Sequence, residues 1–106
     1  MADAESLMAG MRTRADALRR LGYRVRFDLT DMEESIMLDA TGGGTPSVEA
    51  ATEADEADTV LRLSAADLEK LMRGKLSPML AFSTGRLRVE GSKGVAMKLA
   101  SLLDEN

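Results

Sequence analysis

Side chains able to do chemistry are plentiful in this chain of 106 residues, but the usual combinations are missing. It carries 18 Asp and Glu and 14 Lys and Arg, yet no His and no Cys. Without His there is no Ser-His-Asp or Cys-His couple, and the commonest metal ligand is gone. Without Cys there is no disulfide framework and no thiol chemistry. Carboxylates abound, but no pair stands out as an acid/base couple. The expectation is therefore no catalytic residue, no metal site and no cofactor. Ser, Lys and carboxylates remain, so an enzyme stays as the last of three readings.

Four motifs invite a ligand, and each has a plainer reading. Gly42-Gly43-Gly44 lacks a following Gly-Lys-Ser/Thr and joins two strands, which is a hairpin and not a phosphate loop. Gly91-Ser92-Lys93-Gly94 opens a helix, where N–H groups could hold an anion or simply be capped. Glu49, Glu53, Asp55, Glu56 and Asp58 have no calcium-loop spacing and read as a solvated stretch. Six Arg between Arg12 and Arg26 could meet anionic lipid head groups, although most of them alternate onto solvent faces.

The elements that must position any site follow from hydrophobic period. Leu7, Met8, Met11, Ala15, Leu18 and Leu21 recur at helical spacing, with Gly22 as the stop and Gly10 as a local weakness. The period then becomes two. Tyr23 to Leu29 and Ile36 to Ala40 read as strands around a turn at Thr30 to Glu34. Ser47 to Thr52 is a weaker strand, and Thr59 to Leu63 a clear one. Ser64 caps a helix ending at Gly74; Ser77 caps a second that starts at Pro78 and stops at Gly85. Leu87 and Val89 mark a last strand, and Ser92 caps a final helix to about Leu103.

Each clear strand has one apolar and one largely charged face. The outer face is expected to carry Arg24, Arg26, Asp28, Asp39, Arg62, Arg86, Arg88 and Glu90 in water, with every helix on the other side. That is a two-layer α+β plan on a mainly antiparallel sheet. The final helix has a narrow polar stripe of Lys98, Ser101 and Glu105, and its apolar face is wider than a sheet alone would cover. Neighbouring helices, a partner chain or an apolar ligand could take up the excess.

Composition narrows the function classes. One domain, residues 1–106, is the natural reading. A net charge of −4 argues against general nucleic-acid binding. No apolar run approaches the ~20 residues of a membrane span. The acidic start MADAESLMAG lacks the apolar core of a signal peptide, and a cytoplasmic location is expected. Eight Met against three aromatics suit either an ordinary core or a deformable cavity.

The stretch ADTVLRLSAADLEKLMRGKLSPMLAFSTGRLRVEGSKGVAMKLASLL, Ala57 to Leu103, resembles the sterol carrier protein type-2 family. The resemblance rests on Gly74-Lys75-Leu76, Ala81-Phe82, Gly85-Arg86-Leu87 and Gly91-Ser92-Lys93-Gly94. Over Leu7 to Thr52 it rests on element order. It implies a five-stranded sheet with helices on one face and an apolar tunnel between the layers for fatty acyl chains, sterols or isoprenoid-like lipids. From the three helical pieces that the family places around the tunnel, Leu71, Met72, Leu76, Met79, Leu80, Phe82, Val95, Met97, Leu99 and Leu102 are the expected lipid-binding residues. The end Asp104-Glu105-Asn106 differs from the Ser-Lys-Leu of many eukaryotic members.

A rigid empty cavity of ~300 Å³ at ~24 cal/mol per Å³ would cost roughly 7 kcal/mol, against a stability margin of about 5–15 kcal/mol. Such a cavity must stay filled or collapse, and Met72, Met79 and Met97 suit collapse. The leading expectation is non-catalytic lipid binding or transfer, with transient contact to anionic membrane as an accompanying possibility. The rival is an interaction or accessory module for a lipid-handling enzyme complex, with a protein partner or a homodimer.

Overall fold

A computed structural model describes residues 3–103. Asp3 caps the first helix, α1 (Ala4–Arg12): its carboxylate accepts from the Ser6 N–H, and Ser6 Oγ accepts from the Asp3 N–H. The helical period from Leu7 to Leu21 does not become one helix. α1 ends at Thr13, and α2 (Ala15–Leu18) restarts after Arg14. At the break Arg14 makes a tertiary bond: its guanidinium donates to the carbonyls of Gly10 and, at 2.7 Å, Met72. Gly10 is a close-approach site, since a Cβ there would lie 3.0 Å from Met72 Cε.

The strands are β1 (Arg24–Leu29), β2 (Glu34–Asp39), β3 (Ser47–Ala51), β4 (Thr59–Leu63) and β5 (Arg88–Gly91). They form one sheet in the order β3-β2-β1-β4-β5. β1 and β4 run parallel, and the other neighbours antiparallel. The register puts Ala50, Ile36, Phe27, Leu61 and Val89 in one row across the sheet. This is the α+β architecture expected from the alternation.

The helices cover that apolar face. α1 packs on β2 and β3; α3 (Ala65–Met72) touches α1 and α5; α5 (Lys93–Leu103) lies over β4 and β5. Short α4 (Pro78–Ser83) is capped by Ser77 and buries only Ala81. Glu105, assigned above to the polar stripe of the last helix, and the end 104–106 lie outside the described residues.

The outer face is not simply wet. Arg26 and Asp28 are buried there, with Ser35 and Met37 beside them. The segment after β3 folds over this face, and Arg26 donates to the carbonyls of Glu53 at 2.8 Å and Asp55 at 2.7 Å. Arg26 also forks onto Asp28, whose carboxylate accepts from Ser35 Oγ. Alternation shows which side a residue points to, but not that a loop will cover it. Arg86 departs as well: it precedes β5 and pairs with Asp67 of α3 on the helical side. The N–H groups of Arg86 and Leu87 both bond the Ala81 carbonyl, which delays the strand to Arg88.

Candidate functional site

The wide apolar face of α5 meets α4 and β5 at an open cleft of about 180 Å³. Pro78, Met79 and Phe82 come from α4; Leu87 and Val89 from β5 and the residue before it. Lys93, Ala96, Met97 and Ala100 come from α5, at i, i+3, i+4 and i+7 of one helical face. The two alanines make the space: a larger residue at either position would fill it.

Beneath lies a cavity of about 20 Å³, walled by Phe27, Leu61, Leu68, Leu71, Leu99 and Leu103. Pro78, Leu87, Ala96 and Ala100 line both spaces. The two are thus the mouth and the floor of one apolar recess. Among the described residues this recess is what the structure shows between the layers, and leucines from α3, α5 and β4 close the space below the mouth.

The expected lipid-binding residues divide into three groups. Met79, Phe82 and Met97 line the mouth, and Leu71 and Leu99 line the floor. Met72, Leu76, Val95 and Leu102 are buried core and line neither space. Leu80 sits on α4 outside both linings and is 54% exposed. Met79 at 63%, Met97 at 49% and Phe82 at 45% are also largely in water. Pro78, Leu87, Val89, Lys93, Ala96 and Ala100 were missed. The i, i+3, i+4, i+7 series from Lys93 was the signal for three of them, Lys93, Ala96 and Ala100.

Polar groups stand at the edge. The Lys93 ammonium lies 5.6 Å from the Phe82 ring centroid, a cation–π distance. Arg86, on the turn after α4, binds Asp67 of α3 through two nitrogens. The Arg86 hydrogen bond holds the Asp67 carboxyl below its ordinary value. The Arg cluster at 12–26 is largely engaged elsewhere: Arg12 donates to the Val48 carbonyl, Arg19 pairs with Asp16, and Arg24 with Asp39. In the acidic stretch, Asp55 accepts from the Thr52 N–H and Asp58 from the Arg24 N–H. Among the described residues, no three His, Cys, Asp or Glu gather to hold a metal, and no helix is long and apolar enough to cross a membrane.

A sequence profile described as "SCP-2 sterol transfer family" matches residues 4–104. A bovine protein named hydroxysteroid dehydrogenase-like protein 2 is 38% identical over 64 residues, which is 60% of this chain and 14% of that protein. The chain thus matches a small part of a much longer relative. Among solved structures, sterol carrier protein 2 of Yarrowia lipolytica, in its apo form, superposes with a TM-score of 0.71 at 22% identity. That match covers 94% of this chain and 85% of the Yarrowia chain. The sec-alkylsulfatase Pisa1 of Pseudomonas sp. superposes with a TM-score of 0.74 at 20% identity, over 90% of this chain and 15% of the enzyme.

Proposed function

The chain belongs to the SCP-2 sterol transfer family, and on that premise we propose that it is a single lipid-binding domain that holds or transfers an apolar lipid chain without chemistry of its own. The observation that carries this reading is the recess: its mouth is walled mainly by apolar side chains of α4, β5 and α5, its floor by those of β1, β4, α3 and α5, and alanines leave it space. At about 180 Å³ the mouth is smaller than the ~300–1,000 Å³ of typical ligand pockets. A lipid chain therefore enters by displacing side chains. Met79 and Met97, unbranched and flexible, stand where that displacement is needed. The proposed lipid contacts are Met79, Phe82 and Met97 first, then Leu71 and Leu99. The reading includes a cytoplasmic location.

The rival reading, an accessory module for a lipid-handling enzyme, draws on one observation: the bovine and Pseudomonas relatives contain this unit as a small part of a larger protein named for an enzyme. Organic extraction of the purified protein, with mass spectrometry of the extract, and calorimetric titration with a fatty-acid series separate the two. Recovered lipid or saturable binding supports the recess as a lipid site. No lipid, no binding and a stable complex with an enzyme would favour the module. Acyl-ester hydrolysis abolished by a point mutation would refute a non-catalytic role.

A further inference from the structure

The recess has a length as well as a volume, and α5 sets it. Lys93, Ala96 and Ala100 share one face of this helix and line the mouth. Leu103, three residues further on the same face, is buried and walls the floor. Along the helix the series reads charge, small, small, large. Lys93 and Ala100 stand about 10 Å apart along the axis at 1.5 Å per residue, the reach of an extended alkyl chain of roughly eight carbons. Volume gives a similar answer. The mouth offers about 180 Å³ and the floor about 20 Å³. At ~30 Å³ for a methylene, close to the share of one water in the liquid, that is room for roughly six or seven.

Width can change, but depth cannot. Met79 and Met97 are flexible and largely in water, so the mouth widens easily. Phe27, Leu68 and Leu99 at the floor are fully buried, and Leu103 nearly so. Moving them would open a close-packed core. A much longer chain or a fused-ring lipid would leave much of its apolar surface in water. One charge stands at the entrance. Among the described residues, Lys93 is the charged side chain on the lining of these two spaces, and it has no carboxylate partner. Arg73 and Arg86, which flank α4 in the chain, are taken by Glu69 and Asp67. The Lys93 ammonium stands over Phe82, on the opposite wall. A free cation at the rim of a short apolar slot suits an amphiphile with an anionic head and a short tail.

We propose that the recess selects medium-chain carboxylates of about eight carbons, the length that α5 measures out. The carboxylate meets Lys93, the tail lies along Ala96 and Ala100, and its end stops at Leu103. This rests on the lipid-binding reading above and narrows it to a chain length and a head group.

The test is calorimetric titration of the full chain with straight-chain carboxylates from hexanoate to palmitate, each below its micelle-forming concentration. Affinity should rise about three- to fourfold per methylene up to octanoate, then change by less than about tenfold out to palmitate. A deeper slot would continue the rise, to more than about a thousandfold over the same span. Leu103→Ala should move the break about two carbons longer, and Ala100→Val about two carbons shorter. Thermal melting checks that both remain folded; Ala100→Val, at a half-buried position, carries the test if Leu103→Ala does not fold. Octanoate should bind about fivefold tighter than 1-octanol, and Lys93→Gln should remove that preference while leaving the break in place. A rise that continues to palmitate would overturn the proposal and leave lipid binding standing. So would a break that neither variant moves. Octanol binding as tightly as octanoate would overturn the assignment of the head group to Lys93. No binding at any length would sink the lipid-site reading, and this proposal with it.

Discussion

Phe82 and Met97 line the mouth while keeping close to half of their surface in water. Truncating either one enlarges a space that already exists. Phe82→Ala should cost less than the ~3–5 kcal/mol of a buried Phe, and Met97→Ala less than the ~2–5 kcal/mol of a buried Met. Leu99→Ala, at a fully buried floor position, should show the full ~2–5 kcal/mol. A bound ligand stabilises by RT ln(1 + [L]/Kd), about 2.7 kcal/mol at a hundredfold excess over Kd. Phe82→Ala and Met97→Ala should lose part of the rise in Tm that a fatty acid induces. Melting with and without the fatty-acid series measures both effects; core-sized losses with an unchanged ligand shift would make these residues plain core. Ala100 gives a sharper handle because it lines mouth and floor together. Ala100→Leu should fill the recess and abolish the ligand-induced shift, while the apo protein changes by no more than ~1–3 kcal/mol. A retained shift would place the ligand elsewhere.

At the scale of elements, Gly91 closes the sheet where β5 meets β4. Its φ is +88°, and a Cβ would lie 2.7 Å from the Asp58 carbonyl oxygen, backbone that cannot swing aside. Gly91→Ala should destabilise by at least ~1–3 kcal/mol and fray β5, the wall of the mouth. Urea unfolding and amide exchange in β5 would read this, and a neutral variant would contradict it. Such constraints also explain what sequence could disclose. Strands β1, β2 and β4 were legible because large apolar residues recur at every second position, Val25-Phe27-Leu29, Ile36-Leu38 and Leu61-Leu63. α3 and α4 were legible because Ser64 and Ser77 cap them and Gly74 and Gly85 stop them. The break between α1 and α2 was not: no Gly or Pro marks it, and the Arg14 that stands there bonds to Met72, 58 residues away. Nor was the covered outer face, since nothing in the alternation of Arg26 and Asp28 shows that the Glu53 and Asp55 carbonyls will come to rest on it. Within the site, the large residues Met79, Phe82 and Met97 stood out on helices with excess apolar surface. Ala96 and Ala100 did not, because a recess is made by what is small, and small residues look like packing until the opposing wall is known.

Across the whole molecule, charge is unevenly spread along the chain. On the outer side, the Arg26–Asp28 pair fastens the acidic segment after β3; on the helical side, the stretch around α4 carries no carboxylate from Lys70 to Val89. The fastening makes stability depend on pH. Burial alone would push the Asp28 carboxyl up, but hydrogen bonds from Arg26 and Ser35 and the charges of Arg26 and Arg62 outweigh it and hold it below its ordinary 3.8. A carboxyl depressed in the folded state contributes stability that is intact above its unfolded value and is lost as pH falls through the folded one. Asp28→Asn removes the partner of a buried guanidinium, a change that costs ~3–5 kcal/mol where nothing else compensates. Two carbonyls still accept from Arg26, so the loss at pH 7 should fall at or below the lower end of that range. The gap between wild type and Asp28→Asn should be constant from neutral pH down to about 4.5, narrow below the ordinary carboxylate value, where the unfolded chain takes up its proton first, and level off once pH has fallen through the depressed folded value. Denaturant unfolding of both proteins at pH 7, 5 and 3 decides it. A gap that stays constant through the acid range would mean that the charge of Asp28 contributes nothing and that only its shape matters to the network. A gap that closes in acid would locate, in one carboxylate, part of the force that holds the acidic segment against the outer face.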